Sequence, residues 1–399
     1  MRIVSANTFA TSVETLQLRQ QDLMLAQDRL TSGKRVSRAS DDPAAAARVE
    51  RALAAASRSD ADQRALEASR NAMQQAESAL GDAGEMLQQV RELVVSAGNG
   101  TYTAAERQQL GLRIAGLREQ LLAVANRSDG VAGFLFGGQG SAQPPFVDGA
   151  GGVQFRGASG QTLVPGGELL PMTFDGRQGW LQARSGNGVF VTSADAGNGP
   201  DAWIDAGRVT DPALLSGDAY SVLMSGNAPN ASYSVLRNGA PTAAVNLPFT
   251  PGQAIEFDGM ALTIGGTPSN GDRFELMPSA NDLSLFGTLE RIATGLQNSQ
   301  ASSAQSTQVV QHGLRDIDAL AANLQLQRSQ AGSSLNRIDS VENRLADIKL
   351  GAQTDRSLAE DLDMVHAISD FQNKQTGYDA ALKTYSLVQR MSLFQYLNV

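Results

Sequence analysis

Residues 66–97 read LEASRNAMQQAESALGDAGEMLQQVRELVVSA. Within this stretch Leu66, Ser69, Met73, Ala76, Leu80, Ala83, Leu87, Val90, Val94 and Ala97 recur at three-four spacing, the repeat of one face of a long helix that packs against another helix. A single stripe of this kind needs partners, and they lie outward from it. Thr103-Ala104-Ala105-Glu106 has the form of a capping box, in which the hydroxyl and the carboxylate satisfy open amides at a helix start. It introduces Leu110, Ile114, Leu117, Leu121 and Val124 at four-three spacing. Far downstream the same arithmetic predicts a third long helix through Leu314, Ile317, Ala321, Leu324, Arg328, Ala331, Leu335, Ile338, Glu342 and Leu345, with Arg328 and Glu342 as polar interruptions.

Between these stripes the composition changes. Twelve of the 13 prolines lie from Pro144 to Pro278, and residues 140–283 hold 23 of the 40 glycines, both tryptophans (Trp180, Trp203) and no lysine. Proline breaks helix interiors and both residues mark turns, so this is a β-rich insertion. Asn187-Gly188, Asn238-Gly239, Asp258-Gly259 and Asn270-Gly271 are hairpin signals beside alternating apolar residues, which predicts short antiparallel strands. Gly197-Asn198-Gly199-Pro200 is a place where the insertion could divide into two lobes, one sandwich being the other arrangement. Helical stripes on both sides imply that the two ends of the insertion lie close together.

Charge and residue usage exclude several function classes. The net charge of −9 is carried mainly by the insertion (−7), against 0 for residues 1–139 and −2 for residues 284–399, which argues against nucleic-acid binding. The absence of cysteine removes disulfides, thiolate nucleophiles and Cys-bearing metal sites. The start, Met1 to Asn7, lacks the layout of a secretory signal, and no apolar run reaches the roughly eighteen residues of a membrane span, so neither ordinary secretion nor membrane insertion is expected. The two histidines, His312 and His366, have no nucleophile signature around them. Asp363, His366 and Asp370 share a helical face, which reads as a solvated surface before it reads as a metal site. Gly137-Gly138-Gln139-Gly140 completes neither a phosphate loop nor a dinucleotide fingerprint. No enzyme activity, catalytic residue, cofactor or metal is expected.

The two ends carry weaker stripes. Val13, Leu16, Gln20, Leu23, Gln27 and Leu30 form the first, interrupted by glutamine. Leu358, Leu362, Val365 and Ile368, then Phe371, Tyr378, Ala381, Tyr385 and Val388, form the second, before an apolar tail with Leu393 and Phe394. Helices with so thin an apolar face need a partner, either each other or neighbouring subunits.

The string Leu30-Thr31-Ser32-Gly33-Lys34-Arg35-Val36-Ser37-Arg38-Ala39-Ser40-Asp41-Asp42-Pro43, followed by an alanine-rich run, resembles the leading arm of the bacterial flagellin superfamily. Its physical content is a helix stop at Gly33, a cap at Asp42 and a first-turn proline at Pro43, with Leu30, Ser32, Arg35 and Asp41 completing the motif. Leu335-Asn336-Arg337-Ile338-Asp339, Ile368-Ser369-Asp370-Phe371-Gln372-Asn373-Lys374-Gln375-Thr376 and Ser392-Leu393-Phe394-Gln395-Tyr396-Leu397 resemble the hook-filament junction branch of that superfamily more than its filament subunits.

The fold class so implied is mainly α with an inserted β domain: long N- and C-terminal helices pair in a coiled-coil-like bundle, and the β-rich domain faces outward. The expected divisions are 1–33 (N-terminal arm), 34–139 (first half of the helical bundle), 140–283 (insertion), 284–354 (second half of the bundle) and 355–399 (C-terminal arm). The resemblance implies a secreted structural component of the flagellum, exported by the type III apparatus. It would assemble as a homo-oligomer in a helical layer at the hook-filament junction. Its implied partners are a hook-side hook-associated protein, flagellin and an export chaperone that holds the C-terminal helix. Val13, Leu16, Leu23, Leu30, Leu358, Leu362, Val365, Ile368, Phe371, Tyr378, Tyr385, Leu393 and Phe394 are the expected assembly residues. A filament-forming flagellin is the alternative, and an enzyme or adhesin carried on the insertion ranks below it.

Overall fold

The computed structural model describes residues 2–130, 133–165, 168–227 and 229–397; the side chains of residues 2–9, 164, 165, 388 and 390–397 fall outside the description. Seven α-helices are found among the described residues: α1 (Arg2–Ser32), α2 (Pro43–Ala97), α3 (Ala104–Ala125), α4 (Gly176–Trp180), α5 (Leu285–Gln297), α6 (Ser303–Glu360) and α7 (Met364–Leu397). The strands all fall between Phe146 and Leu283, so a β region is inserted into a helical protein whose N-terminal and C-terminal helices pair. The chain divides into two compact units, residues 1–64 with 341–399, and residues 65–340.

In the second unit every residue of the Leu66–Ala97 stripe is buried, from Leu66 through Met73, Leu80, Leu87 and Val94 to Ala97. The partner is α6, which runs antiparallel: Arg70 pairs with Asp339 (2.7 Å), Glu77 with Arg328 (2.7 Å) and Arg91 with Asp318 (2.8 Å) along the rim. These exposed pairs set register more than stability. The buried side of α6 corrects the expected stripe. Ile317, Leu324, Ala331, Ile338 and Leu345 are buried as read, but the intervening layer is Leu320, Gln327 and Val341, one residue before the expected Ala321, Arg328 and Glu342. A one-residue shift turns a side chain by about 100° around the axis. It moves Arg328 to the rim, where it meets Glu77, so the polar interruptions lie outside the buried layer.

Thr103 caps α3 through the full reciprocal box with Glu106. α3 packs on α5 at close range, because a side chain on Gly111 would stand 2.8 Å from the Ala293 carbonyl oxygen. Arg118 on α3 then holds the entrance of the insertion, giving Asp148 two bonds (2.6 and 3.0 Å), Glu290 one (3.2 Å) and the Phe286 carbonyl another (3.2 Å). The insertion enters and leaves at one aromatic cluster: Phe146 lies 5.9 Å from Phe286, and Trp180 stacks on Phe286 at 5.9 Å, all three buried.

The strands are antiparallel throughout. Phe190–Ala194, Arg273–Pro278, Tyr220–Ser225 and Ser232–Arg237 are consecutive neighbours in the larger sheet, and Ala254–Phe257, Met260–Gly266 and Ala202–Ile204 in the smaller. Both sheets bury side chains in one core, with Phe190, Ile204, Val222, Leu262 and Phe274 among its members, so the Gly197–Pro200 loop joins two strands of the same core. Two of the four turn signals are two-residue hairpins, closing Arg237 on Ala240 and Phe257 on Met260, with φ positive at Asn238, Gly239, Asp258 and Gly259. Asn187-Gly188 and Asn270-Gly271 are turns whose following strands find each other instead, Phe190–Ala194 on Arg273–Pro278. Turn chemistry is local, whereas strand partners are chosen by the core.

One polar cluster ties this core to the helices. Gln308 on α6 exchanges bonds with the backbone of Ile204 (2.9 and 3.0 Å) and meets His312. Arg315 reaches the Thr192 carbonyl (3.2 Å) and buried Asp316 (2.8 Å), which also receives Arg291 from α5 (3.2 Å). Burial, then the Arg315 and Arg291 charges, push the His312 imidazole down to about 3.

Candidate assembly interface

The first unit contains the two terminal helices and the segment where each joins the rest of its arm. α1 and α7 pack together. Gly377 leaves room for Arg19, whose guanidinium would lie 2.5 Å from a side chain there. Along this seam Val13, Leu16, Leu23 and Leu30 on α1 are half-buried, as are Leu362, Phe371, Tyr378 and Tyr385 on the other arm, and Ala26 is fully buried. Three further expected assembly residues are directed away from it: Leu358 is 77% exposed, Val365 80% and Ile368 45%. The side chains of Leu393 and Phe394 lie outside the described residues. Leu18, Met24 and Leu25 on α1, and Met364, Leu382 and Leu387 on α7, add to the exposed apolar surface. The pair therefore forms with both an inner seam and an open apolar face, a distribution typical of surfaces that meet partners.

Both arms change helix at one crossover, built by the Leu30–Pro43 motif. α1 stops at Ser32 because Gly33 adopts φ +68°, where side chains are disfavoured. The Gly33 carbonyl then accepts the Leu362 amide (3.0 Å), and the Arg35 amide donates to the Glu360 carbonyl (2.8 Å), so the two arms exchange backbone bonds around Lys34 and Asp361. The Arg35 guanidinium donates to the Ala359 carbonyl (2.8 Å) and pairs with Asp42 (3.3 Å). Buried Glu360 is held by Lys34 and by Arg356 (2.7 Å), and these cations keep its carboxyl below the ordinary range. Asp41 accepts amides of Arg38 (2.9 Å) and Ser37 (3.2 Å), which lowers its own carboxyl. Asp42 accepts the Ala45 amide (2.9 Å), capping α2 ahead of Pro43 and likewise titrating low. Lys34, Arg35, Asp41 and Asp42 are each engaged in holding the crossover.

Immediately beyond the crossover, the first turns of α2 and the last turns of α6 form a groove of about 740 Å³, half of whose lining residues are alanine or glycine. Ser59 donates to the Leu345 carbonyl (3.0 Å) and Lys349 pairs with Asp60 (2.7 Å), fixing the antiparallel register of these two segments.

Among the described residues no group of three or more His, Cys, Asp or Glu is placed to hold a metal ion. Asp363 caps α7 by accepting the Val365 amide (3.0 Å) and the His366 amide (3.1 Å), and Asp370 pairs with Lys374 (2.7 Å). Among the described residues no helix is long and apolar enough to cross a membrane.

Comparison with known proteins agrees with this layout. Residues 4–141 match the bacterial flagellin N-terminal helical region, and residues 314–397 match the bacterial flagellin C-terminal helical region. Flagellar hook-associated protein 3 of Escherichia coli K12 is 22% identical over 395 residues, covering 99% of each chain. The crystal structure of flagellar hook associated protein-3 from Legionella pneumophila superposes with a TM-score of 0.71 at 24% identity, covering 77% of this chain and 97% of that one. That of the flagellar junction protein FlgL from the same organism gives 0.65 at 25% identity, covering 70% and 95%. With both arms matched and its whole length aligned to a hook-associated relative, the chain belongs to the bacterial flagellin family, in its hook-associated protein 3 branch.

Proposed function

We propose that copies of this chain build a structural layer at the hook-filament junction of the bacterial flagellum, bonded to one another and to their axial neighbours through α1 and α7. The observation that carries this reading is the open apolar face of the terminal pair, with Val365, Leu387, Leu18 and Leu25 all more than half exposed on helices that are otherwise formed. Burying a Leu or Val side chain contributes about 1.5–3 kcal/mol when complete, so a few such residues per subunit contribute several kcal/mol to each contact between copies. The axial neighbours are a hook-side hook-associated protein and flagellin, and the route outward is type III export with the address in the N-terminal arm. Before export, a chaperone covers the apolar face of α7. The acidic insertion is left outside, where like charges repel at no expense to assembly.

Deleting residues 1–30 or 360–399 should leave residues 65–340 folded, as judged by the same urea unfolding transition, and abolish incorporation. Immunogold labelling of intact flagella should give a narrow band beside the hook. Labelling along the whole filament, or normal incorporation of either truncated chain, overturns the reading. Pull-down of the chaperone should be lost with residues 360–399.

A further inference from the structure

The groove beyond the crossover has an occupant written elsewhere in the same sequence. Its floor is made of four buried alanines, Ala45 and Ala52 on α2, Ala352 and Ala359 on α6. On each helix the two stand seven residues apart, about 10.5 Å at 1.5 Å per residue. In the antiparallel register set by Ser59 and Leu345, Ala45 falls level with Ala359 and Ala52 level with Ala352, so the floor has two small-residue layers one heptad apart. Such layers are holes for large side chains of a third helix that repeats every seven residues.

The walls specify charge. Arg48 and Arg51 stand on the α2 side, exposed and without a carboxylate partner among the described residues. Arg35 is already paired with Asp42, and Asp355 on the α6 side is the one remaining carboxylate of the lining, which leaves the groove net positive. On α1, Leu18 and Leu25 are 57% and 53% exposed and seven residues apart. Glu14, Asp22 and Asp28 flank them, exposed and without an ion pair among the described residues. On α7 the exposed pair Leu382 and Leu387 is five apart, and Val365 with Ile368 spans less than one turn, so neither reaches both layers.

We propose that this groove receives α1 of a second copy of the chain, Leu18 and Leu25 entering the two alanine layers while Arg48 and Arg51 meet the flanking carboxylates. This deepens the assembly reading above and rests on it: it names which part of one subunit seats on which part of the next.

The absence of cysteine makes the contact directly testable. Chains carrying Leu25→Cys are co-produced with chains carrying Ala52→Cys or Ala45→Cys, and isolated flagella are oxidised. A disulfide-linked dimer should form in one of the two mixtures and in neither variant alone; the productive mixture reports whether α1 enters parallel or antiparallel to α2. Independently, Arg48→Glu with Arg51→Glu should lower incorporation about tenfold, and Asp22→Arg with Asp28→Arg in the partner copy should restore most of it. Arg58→Glu, on the same helix beyond the groove, should leave incorporation unchanged. No cross-link in either mixture while the chains incorporate, or a loss that the α1 reversal fails to restore, or an equal loss from Arg58→Glu, overturns the groove contact. Those results spare the wider reading so long as deletion of residues 1–30 still abolishes incorporation.

Discussion

Two stripes written in the same three-four spacing reach opposite ends. From Leu66 to Ala97 every stripe residue is buried, closed over by α6 and the insertion, and Ser69 even finds the Pro171 carbonyl (2.7 Å). From Val13 to Leu30 the stripe is only half-buried, and a second face bearing Leu18 and Leu25 stays open. The spacing specifies a helix with a dry side in both. What differs is how many neighbours each helix meets within one chain: α2 is enclosed by several elements, α1 is paired with α7. A helix that meets one neighbour has surface left for others.

The sharpest way to break this contrast is to truncate one leucine in each stripe. Leu87→Ala should lower the unfolding free energy of the isolated chain by about 4 kcal/mol, through lost transfer energy and the cavity left behind. Leu23→Ala should lower it by less than about 1 kcal/mol in urea titration and yet impair incorporation into flagella. Equal effects on the two would remove the distinction. Next in size is the polar tie in the second unit. Asp316→Ala leaves Arg315 buried without its carboxylate and should remove about 3 kcal/mol, with no effect on exchange rates within α1 or α7.

A smaller effect comes from His312. Its folded pKa, about 3, lies below the unfolded value of 6.5, so the folded state favours the neutral ring. As pH falls through 6.5 the unfolded chain takes up the proton first, and the stability due to the neutral ring is lost progressively down to about pH 3. Between pH 7 and pH 4 this should amount to about 2 kcal/mol once its partial exposure is allowed for, and His312→Gln should flatten that part of the unfolding profile. Smallest is Gly33→Ala. Nothing lies within 4 Å of the added carbon, so the effect is backbone strain alone, about 1 kcal/mol, seen as faster hydrogen exchange at the Leu362 amide.

Much of this architecture is legible along the chain. The Leu66–Ala97 face, the Thr103–Glu106 box, the stop at Gly33 and the cap at Asp42 each depend on residues within a few positions of one another, and each stands where local chemistry puts it. The α6 stripe is half legible: Ile317, Leu324, Ala331, Ile338 and Leu345 follow the repeat, but the alternate layer can be read one residue early or late. Treating Arg328 and Glu342 as interruptions marks the wrong phase. The early phase replaces them by Gln327 and Val341 and frees Arg328 for Glu77.

The sequence alone determined that this protein is helical at both ends and β-rich between, where its helices begin and stop, and which branch of a superfamily its arms resemble, because caps, turns and periodicity act through neighbouring residues. Tertiary structure alone decided that Phe190–Ala194 pairs with Arg273–Pro278 across 78 intervening positions, that Asp316 becomes the buried anchor of two arginines, and that the apolar residues of the arms divide between an inner seam and an open face. Those outcomes depend on which surfaces remain uncovered once the local elements have formed, and that is settled by packing among segments far apart in the chain.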